Sequence, residues 1–285
     1  MKTIRTLSVV LVAVAVAASA CNNDTLLPSG NEIAENNGAV CEPKPASELE
    51  DCNVWDETLI QIDTKEELRE VCESDCRNIP SLSVFKIPGV TKLDAFANRQ
   101  ILEDISVSKM PDLKTTRGLN VQNGARVSVY SNPRLSDLQA VQNLTRAGEM
   151  WISNNNLKDL EAIKNLEEMV RTTMMAFLEI TETQMTECSA LDGLNVNGDS
   201  VEFSENPRLQ ELPELIGVPS QVFIHSNESL SDISNLASLD VVLNVLVIRD
   251  NKNLKRCHIE SVLEDVRLGA DATVTIDGNS NKPCN

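Results

Sequence analysis

Aromatic residues are scarce: two tryptophans, one tyrosine and five phenylalanines make up only 3% of 285 residues. A core filled by large rings is therefore excluded, and the 41% apolar content falls mostly to Leu, Val and Ile, which suit thin, regularly layered interiors. Histidine is rarer still. His225 and His258 have no partner at metal or triad spacing, and surface and cap roles respectively are expected for them. Cys72 and Cys76 have no second pair at zinc-ligand distance, and no D-x-D-x-D-G calcium loop occurs, so neither a metal nor a cofactor is expected. The chain also lacks G-x-S-x-G, H-E-x-x-H, a P-loop and a dinucleotide fingerprint, and the expectation is a protein that is not an enzyme. Positive charge is in short supply, with 25 Lys and Arg against 43 Asp and Glu. The net charge of −18 becomes −20 without residues 1–20, which hold Lys2 and Arg5 and no acid. Such a surface repels phosphate backbones, so nucleic acid is not an expected partner.

What is present begins with "MKTIRTLSVVLVAVAVAASAC". A basic start precedes an apolar run from Leu7 to Ala18, too short for a membrane span and the right length for a secretory signal. Ala18-Ser19-Ala20 is an A-x-A cleavage site. With Cys21 it resembles the lipobox of bacterial lipoproteins, although Ala stands where Leu is commonest. That resemblance implies lipidation at Cys21, a lipid bilayer as partner through the acylated cysteine, and a place in the cell envelope. The alternative is ordinary cleavage and a secreted chain with Cys21 unlipidated. The expected organisation is a signal peptide over 1–20, a polar, turn-rich tether over 21–50, and one folded domain over 51–285.

That domain is built from one unit used many times. Copies read "VSVYSNPRLSDLQAVQNL" from Val127, "MWISNNNLKDLEAIKNL" from Met150, "VEFSENPRLQELPELIGV" from Val201, "VFIHSNESLSDISNLASL" from Val222 and "LVIRDNKNL" from Leu246. Weaker copies start at Ile105 and Leu178. The opening pairs, such as Val127/Val129 and Val222/Ile224, alternate with polar residues as a strand with one buried face does. Apolar residues then fall on every third position, as at Leu135, Leu138, Val141 and Leu144, a spacing that suits tight corners or a 3₁₀ turn. Asn132, Asn154, Asn206, Asn227, Asn251 and Asn279 follow the strands and are expected to form a structural ladder at the corners. One turn cannot bury its own apolar face, so turns must stack, each strand beside its counterpart, in a mainly β repeat solenoid.

Both ends read as covers. "TKEELREVCESDC" opens with a Thr64/Glu67 capping box and sets Leu68, Val71 and Cys72 on one helical face. It belongs to an N-cap over about 51–80, stapled to Cys52, with Cys76 a candidate partner of Cys52. A C-cap over about 255–285 has Ile259, Val262, Leu263 and Val266 at helical spacing, with Gly269 as the stop. In an exported chain the eight cysteines default to disulfides. Cys257 and Cys284 bracket the last turn and are expected to pair. Cys188, alone in mid-chain, is the candidate for an unpaired cysteine, and the pairing among Cys41, Cys52, Cys72 and Cys76 is open.

With "CRNIPSLSVFKI" at residues 76–87, the V-x-V-x-x-N-P-x-L units and the closing "NKNLKRC…VTIDGNSNKPC", residues 52–285 resemble the receptor L domain. This is the leucine-rich-repeat-like solenoid of insulin and epidermal growth factor receptor ectodomains, also found in bacterial envelope proteins. The resemblance implies a right-handed parallel β-helix with short capping helices and a role in binding. "SLSVF", without the usual Gly, and the long circuit between Ile152 and Ile180 depart from the pattern.

Alternation assigns one outward row to Lys86, Ser106, Ser128, Trp151, Glu179, Glu202, Phe223, Val247 and Thr275, and its neighbour to Tyr130, Ser153, Thr181, Ser204, His225 and Arg249. The candidate binding face is therefore Tyr130, Trp151, Glu179, Glu202, Phe223, His225 and Arg249, for a surface protein or a glycan. Met169, Met174, Met175 and Met185 are expected to fill the core of the irregular circuit. Two other readings stand beside recognition: a wall-associated or secreted structural protein, and a carbohydrate-active enzyme using Glu179 and Glu202.

Overall fold

The fold is that of a computed structural model, which describes residues 40–51, 59–121, 124–171 and 175–284. The expected signal peptide, Cys21, most of the expected tether, Cys52 and Met174 lie outside the described residues. Ten strands lie side by side in chain order: β1 (Ile60–Ile62), β2 (Leu82–Phe85), β3 (Ile105–Ser108), β4 (Gly124–Asn132), β5 (Arg146–Asn155), β6 (Phe177–Thr181), β7 (Ser200–Ser204), β8 (Gln221–His225), β9 (Val245–Arg249) and β10 (Thr273–Asp277). Every pairing between neighbours is parallel. With the short strands Glu168–Met169 and Asn195–Val196 they form a 12-stranded sheet. Two α-helices, α1 (Lys65–Glu73) and α2 (Arg256–Leu263), are present among the described residues. This is a mainly parallel β, solenoid-like stack of circuits.

Alternation and register produce two continuous apolar columns. Ile62, Val84, Val107, Val129, Ile152, Ile180, Phe203, Ile224 and Ile248 follow one another across the sheet, none more than 2% exposed. The second column runs from Leu82 through Ile105, Val127, Met150, Leu178, Val201 and Val222 to Leu246. Each such side chain contributes about 1.5–3 kcal/mol on burial, but only because its neighbours on adjacent circuits complete the enclosure. Facing them is the period-three run. Leu135, Leu138, Val141 and Leu144 are all buried, and 3₁₀ turns recur at Asp94–Phe96, Gln139–Val141, Glu161–Ile163, Ser189–Leu191 and Ser234–Ser238. Three residues per turn is the repeat that keeps every third side chain inward.

From β2 to β10, the corner that ends each strand is more uniform than the sequence suggests. Lys86, Lys109, Ser131, Asn154, Glu182, Glu205, Ser226 and Asp250 all adopt left-handed backbone, with φ between 50 and 59°. Gly278 takes the same place in the last circuit, at φ 63°. One left-handed residue reverses the strand's alternation, so the residue after it turns inward. Those inward residues are Ile87, Met110, Asn132, Asn155, Thr183, Asn206, Asn227, Asn251 and Asn279. The ladder therefore contains Asn155, not Asn154, which is the exposed corner residue. Asn227 shows the bonding: its Oδ1 accepts from the Asn206 N–H at 3.1 Å and its Nδ2 donates to the Phe203 carbonyl at 2.9 Å. Asn132, Asn155, Asn206, Asn251 and Asn279 bind the preceding circuit in the same way. In the long circuit Thr183 replaces Asn and donates its hydroxyl to Asn206 Oδ1 at 2.7 Å. Asn227 is fully buried, so its N-x-S triplet is closed to glycosylation in the folded chain.

At the N-terminal end α1 carries the expected capping box, and Leu68, Val71 and Cys72 are buried. Its disulfide is Cys41–Cys72, one of the pairings the sequence left open, while the staple expected from Cys52 lies outside the described residues. Cys76 is itself disulfide-bonded. Arg99, 1% exposed, donates to the carbonyls of Cys72 and Ser74 at the end of α1 and to that of Ala95. A cation at the helix C-terminus complements both the orphan carbonyls and the helix dipole. At the other end Cys257–Cys284 closes the last circuit and Cys188 is free and buried, as the spacing led one to expect. α2 stops at Leu263, however, well before Gly269. Gly269 serves a close crossing instead: a Cβ there would lie 2.2 Å from the Leu243 carbonyl oxygen. His258 has its cap role, 3.3 Å from Asp232 on the preceding circuit. Met169 and Met185 are buried, but Met175 is 55% exposed and not part of the core.

Candidate recognition face

The outward side of the sheet carries the residues singled out above. Register places Ser83, not Lys86, in the row with Ser106; Lys86 is a corner residue. From Ser106 the row runs through Ser128, Trp151, Glu179, Glu202, Phe223 and Val247 to Thr275. The second row, Tyr130, Ser153, Thr181, Ser204, His225 and Arg249, is also in register. All seven candidate residues thus lie on β4 to β9, about 24 Å across at the usual strand spacing.

At the centre, Tyr130 and Trp151 stack with ring centroids 4.7 Å apart and planes inclined by 14°. Small buried residues beside them, Ser128 and Ser153, leave room for the rings to meet across strands. Each ring covers one face of the other, and both residues are half-buried. Glu179 follows Trp151 in register, and Glu202 follows Glu179. Glu202 Oε1 accepts from the Ser204 hydroxyl at 2.8 Å and lies 3.2 Å from His225 Nε2. Burial, and then the neighbouring Glu202 charge, push Glu179 above the usual carboxylate range, against an opposing effect from the Trp151 indole. The buried Trp151 Nε1–H nevertheless lies outside hydrogen-bonding geometry from any acceptor among the described residues. Phe223 is half-buried beside Glu202, and Arg249 is exposed beside His225.

A third outward row escaped the sequence reading: Arg126, Glu149, Phe177, Ser200, Gln221, Val245 and Thr273. Continuing the alternation two residues upstream of Ser128 would have found it. Arg126 pairs with Glu149 on the next strand, and Phe177 adds a half-buried ring two residues from Glu179.

The arrangement offers aromatic contact, two carboxylates and an imidazole on an open sheet surface. It provides hydrogen-bond acceptors and local negative charge. A polar groove of about 370 Å³ lies elsewhere, between the 3₁₀ turns of two circuits. Its acids are committed to structure: Asp137 accepts from Thr115 and Gln139, Asp159 from the Glu161 N–H, and Glu161 pairs with Lys164. Among the described residues no group of three or more His, Cys, Asp or Glu is placed to hold a metal ion, and no helix is long and apolar enough to cross a membrane.

What the fold defines is a mainly parallel β protein of stacked, solenoid-like circuits. No protein-family model matches the chain, and no curated protein matches it in sequence.

Proposed function

We propose that this is an exported cell-envelope lipoprotein, anchored through acylated Cys21, that presents a non-catalytic recognition solenoid of the right-handed, L-domain-like type. The outward face of the sheet takes the ligand, a surface protein or a glycan. The observation that carries this reading is the Tyr130–Trp151 stack beside Glu179, Glu202 and His225, with Phe177 and Phe223 on the same face, in a chain of only eight aromatic residues. Aromatic side chains at the centre of an interface commonly carry most of its binding energy, and both rings are partly accessible on this face. The test is binding of the purified chain to glycan arrays and to envelope and host-surface protein panels. A specific ligand lost on Trp151→Ala supports recognition; binding unchanged by Trp151→Ala and Tyr130→Ala removes this face from it.

A second reading, glycoside hydrolysis, draws on the in-register carboxylates of Glu179 and Glu202, with Glu179 raised above its ordinary value by burial and by the neighbouring Glu202 charge. Sugar release by the wild type that disappears in Glu179→Gln would favour it over recognition. The structural reading, a secreted or wall-associated protein without lipid, would be favoured by loss of envelope integrity on deletion with no ligand found.

A further inference from the structure

The two ends of the stack are finished differently. At the N-terminal end Ile62 on β1 is 1% exposed, and Leu68 and Val71 of α1 are buried in the same core. At the C-terminal end the apolar columns open out: Val274 on β10 is 36% exposed and Ile276 is only half-buried. The outer edge of β10 has no partner strand among the described residues. Residues 272–276, "ATVTI", carry no charge, whereas free edge strands are ordinarily guarded by charge, proline or a bulge.

The hydrogen bonds to β9 show which peptide groups remain. The Thr273 N–H donates to the Asn244 carbonyl at 2.8 Å, and the Asp277 carbonyl accepts from the Asp250 N–H at 2.9 Å. Thr273, Thr275 and Asp277 therefore turn their peptide groups toward β9. By alternation, the N–H and C=O of Val274 and Ile276 face the open edge.

We propose that this edge docks a second copy of the chain, β10 against β10, antiparallel about a twofold axis at Thr275. In that register Val274 of each copy lies opposite Ile276 of the other, and the two pairs close four backbone hydrogen bonds. The same pairs join the inward apolar columns, so the core runs on through the interface and each copy covers the other's open end. Charge and apolar pairing together select the register. Asp277 faces Thr273, so no acid within β10 opposes an acid in two chains of net charge −18. Moving the axis to Val274 would set Ile276 against Ala272 and lose the apolar pair. Moving it to Ile276 would set Val274 against Gly278 and lose the apolar pair.

Thr275 then meets its own symmetry mate at a non-hydrogen-bonded site, with Cα atoms about 4.5 Å apart, within reach of a disulfide. The test is mild oxidation of full chains carrying Thr275→Cys or Thr273→Cys, alongside sedimentation velocity of the wild type and Val274→Lys across the micromolar range. The expected results are a covalent dimer from Thr275→Cys, none from Thr273→Cys, a wild type that sediments as a dimer, and a monomeric Val274→Lys. Equal cross-linking at both positions, or a wild type that stays monomeric while Thr275→Cys fails to cross-link, overturns the proposal. Should Val274→Lys fail to fold, the two cysteine variants decide it, since both sites are solvent-facing threonines.

Discussion

Replacing Asn227 by leucine, of similar volume, removes one rung of the ladder while leaving an inward residue of the right size. Asn227 is fully buried, and its side chain satisfies the Asn206 N–H at 3.1 Å and the Phe203 carbonyl at 2.9 Å. The substitution orphans the Asn206 N–H and strips the Phe203 carbonyl of one of its two donors, since register and alternation also place the His225 N–H on that carbonyl, whereas the Asn227 N–H keeps its acceptor, Asn251 Oδ1, at 3.0 Å. An unsatisfied buried polar group costs about 1–3 kcal/mol, and that is the predicted loss. That is a large fraction of the roughly 5–15 kcal/mol that stabilises an ordinary domain. Urea unfolding followed by circular dichroism measures it, with the slope compared between variants because repeat stacks can depart from two-state behaviour. Asn143→Ala, at an exposed asparagine, is the control and should change stability by no more than about 0.5 kcal/mol. Asn227→Asp keeps an acceptor but loses the donor, so it should be destabilised at neutral pH and partly recover in acid, where the protonated carboxyl can donate again. An Asn227→Leu variant as stable as the control would refute the ladder's structural role.

Glu179→Gln should stabilise the fold at neutral pH by about 0.2–1 kcal/mol, the usual range for a like-charge cross-strand pair. Because the folded-state pKa is raised, the folded protein holds this proton more tightly than the unfolded chain. The wild type therefore gains stability as pH falls through that window, and thermal melts of wild type and variant should converge below the ordinary carboxylate range. Arg99→Met strips donors from the buried carbonyls of Ala95, Cys72 and Ser74 and should lower stability by at least about 2 kcal/mol in urea. Cys188, 2% exposed and with its thiol pKa pushed up by burial and by the charges of Asp192, Glu211 and Glu187, should resist a thiol reagent at mildly alkaline pH. Prompt labelling in native buffer, matching that in denaturant, would contradict its placement.

The repeat was legible because its two periods are simple. Alternation gave both inward columns, and the run from Leu135 to Leu144 announced a 3₁₀ face. The corner was read less well. In "ISNNNL" strict alternation points Asn154 inward, but the left-handed residue in between reverses the parity. The interval of three from Val129 to Asn132, repeated from Phe203 to Asn206 and from Ile224 to Asn227, carried that signal and leads from Ile152 to Asn155. Lys86 was misplaced for the same reason: it occupies the corner. The Cys41–Cys72 bridge had no such signal, because pairing near the N-terminal cap depends on where the chain before α1 runs. Gly269 likewise looked like a helix stop, since its closeness to Leu243 exists only once circuits are stacked. On the outward face of the sheet both rows of candidate residues followed from alternation, whereas the Tyr130–Trp151 stack and the bond from Ser204 to Glu202 depend on rotamers that a sequence does not specify.

The central claim, a recognition solenoid held at an envelope through Cys21, is tested most directly by mass spectrometry of the N-terminal peptide from native, non-reduced protein. The account predicts cleavage after Ala20 and an acylated, diacylglyceryl-bearing Cys21. An unlipidated Cys21 held in a disulfide would contradict the anchor and turn the search toward a secreted or wall-associated protein.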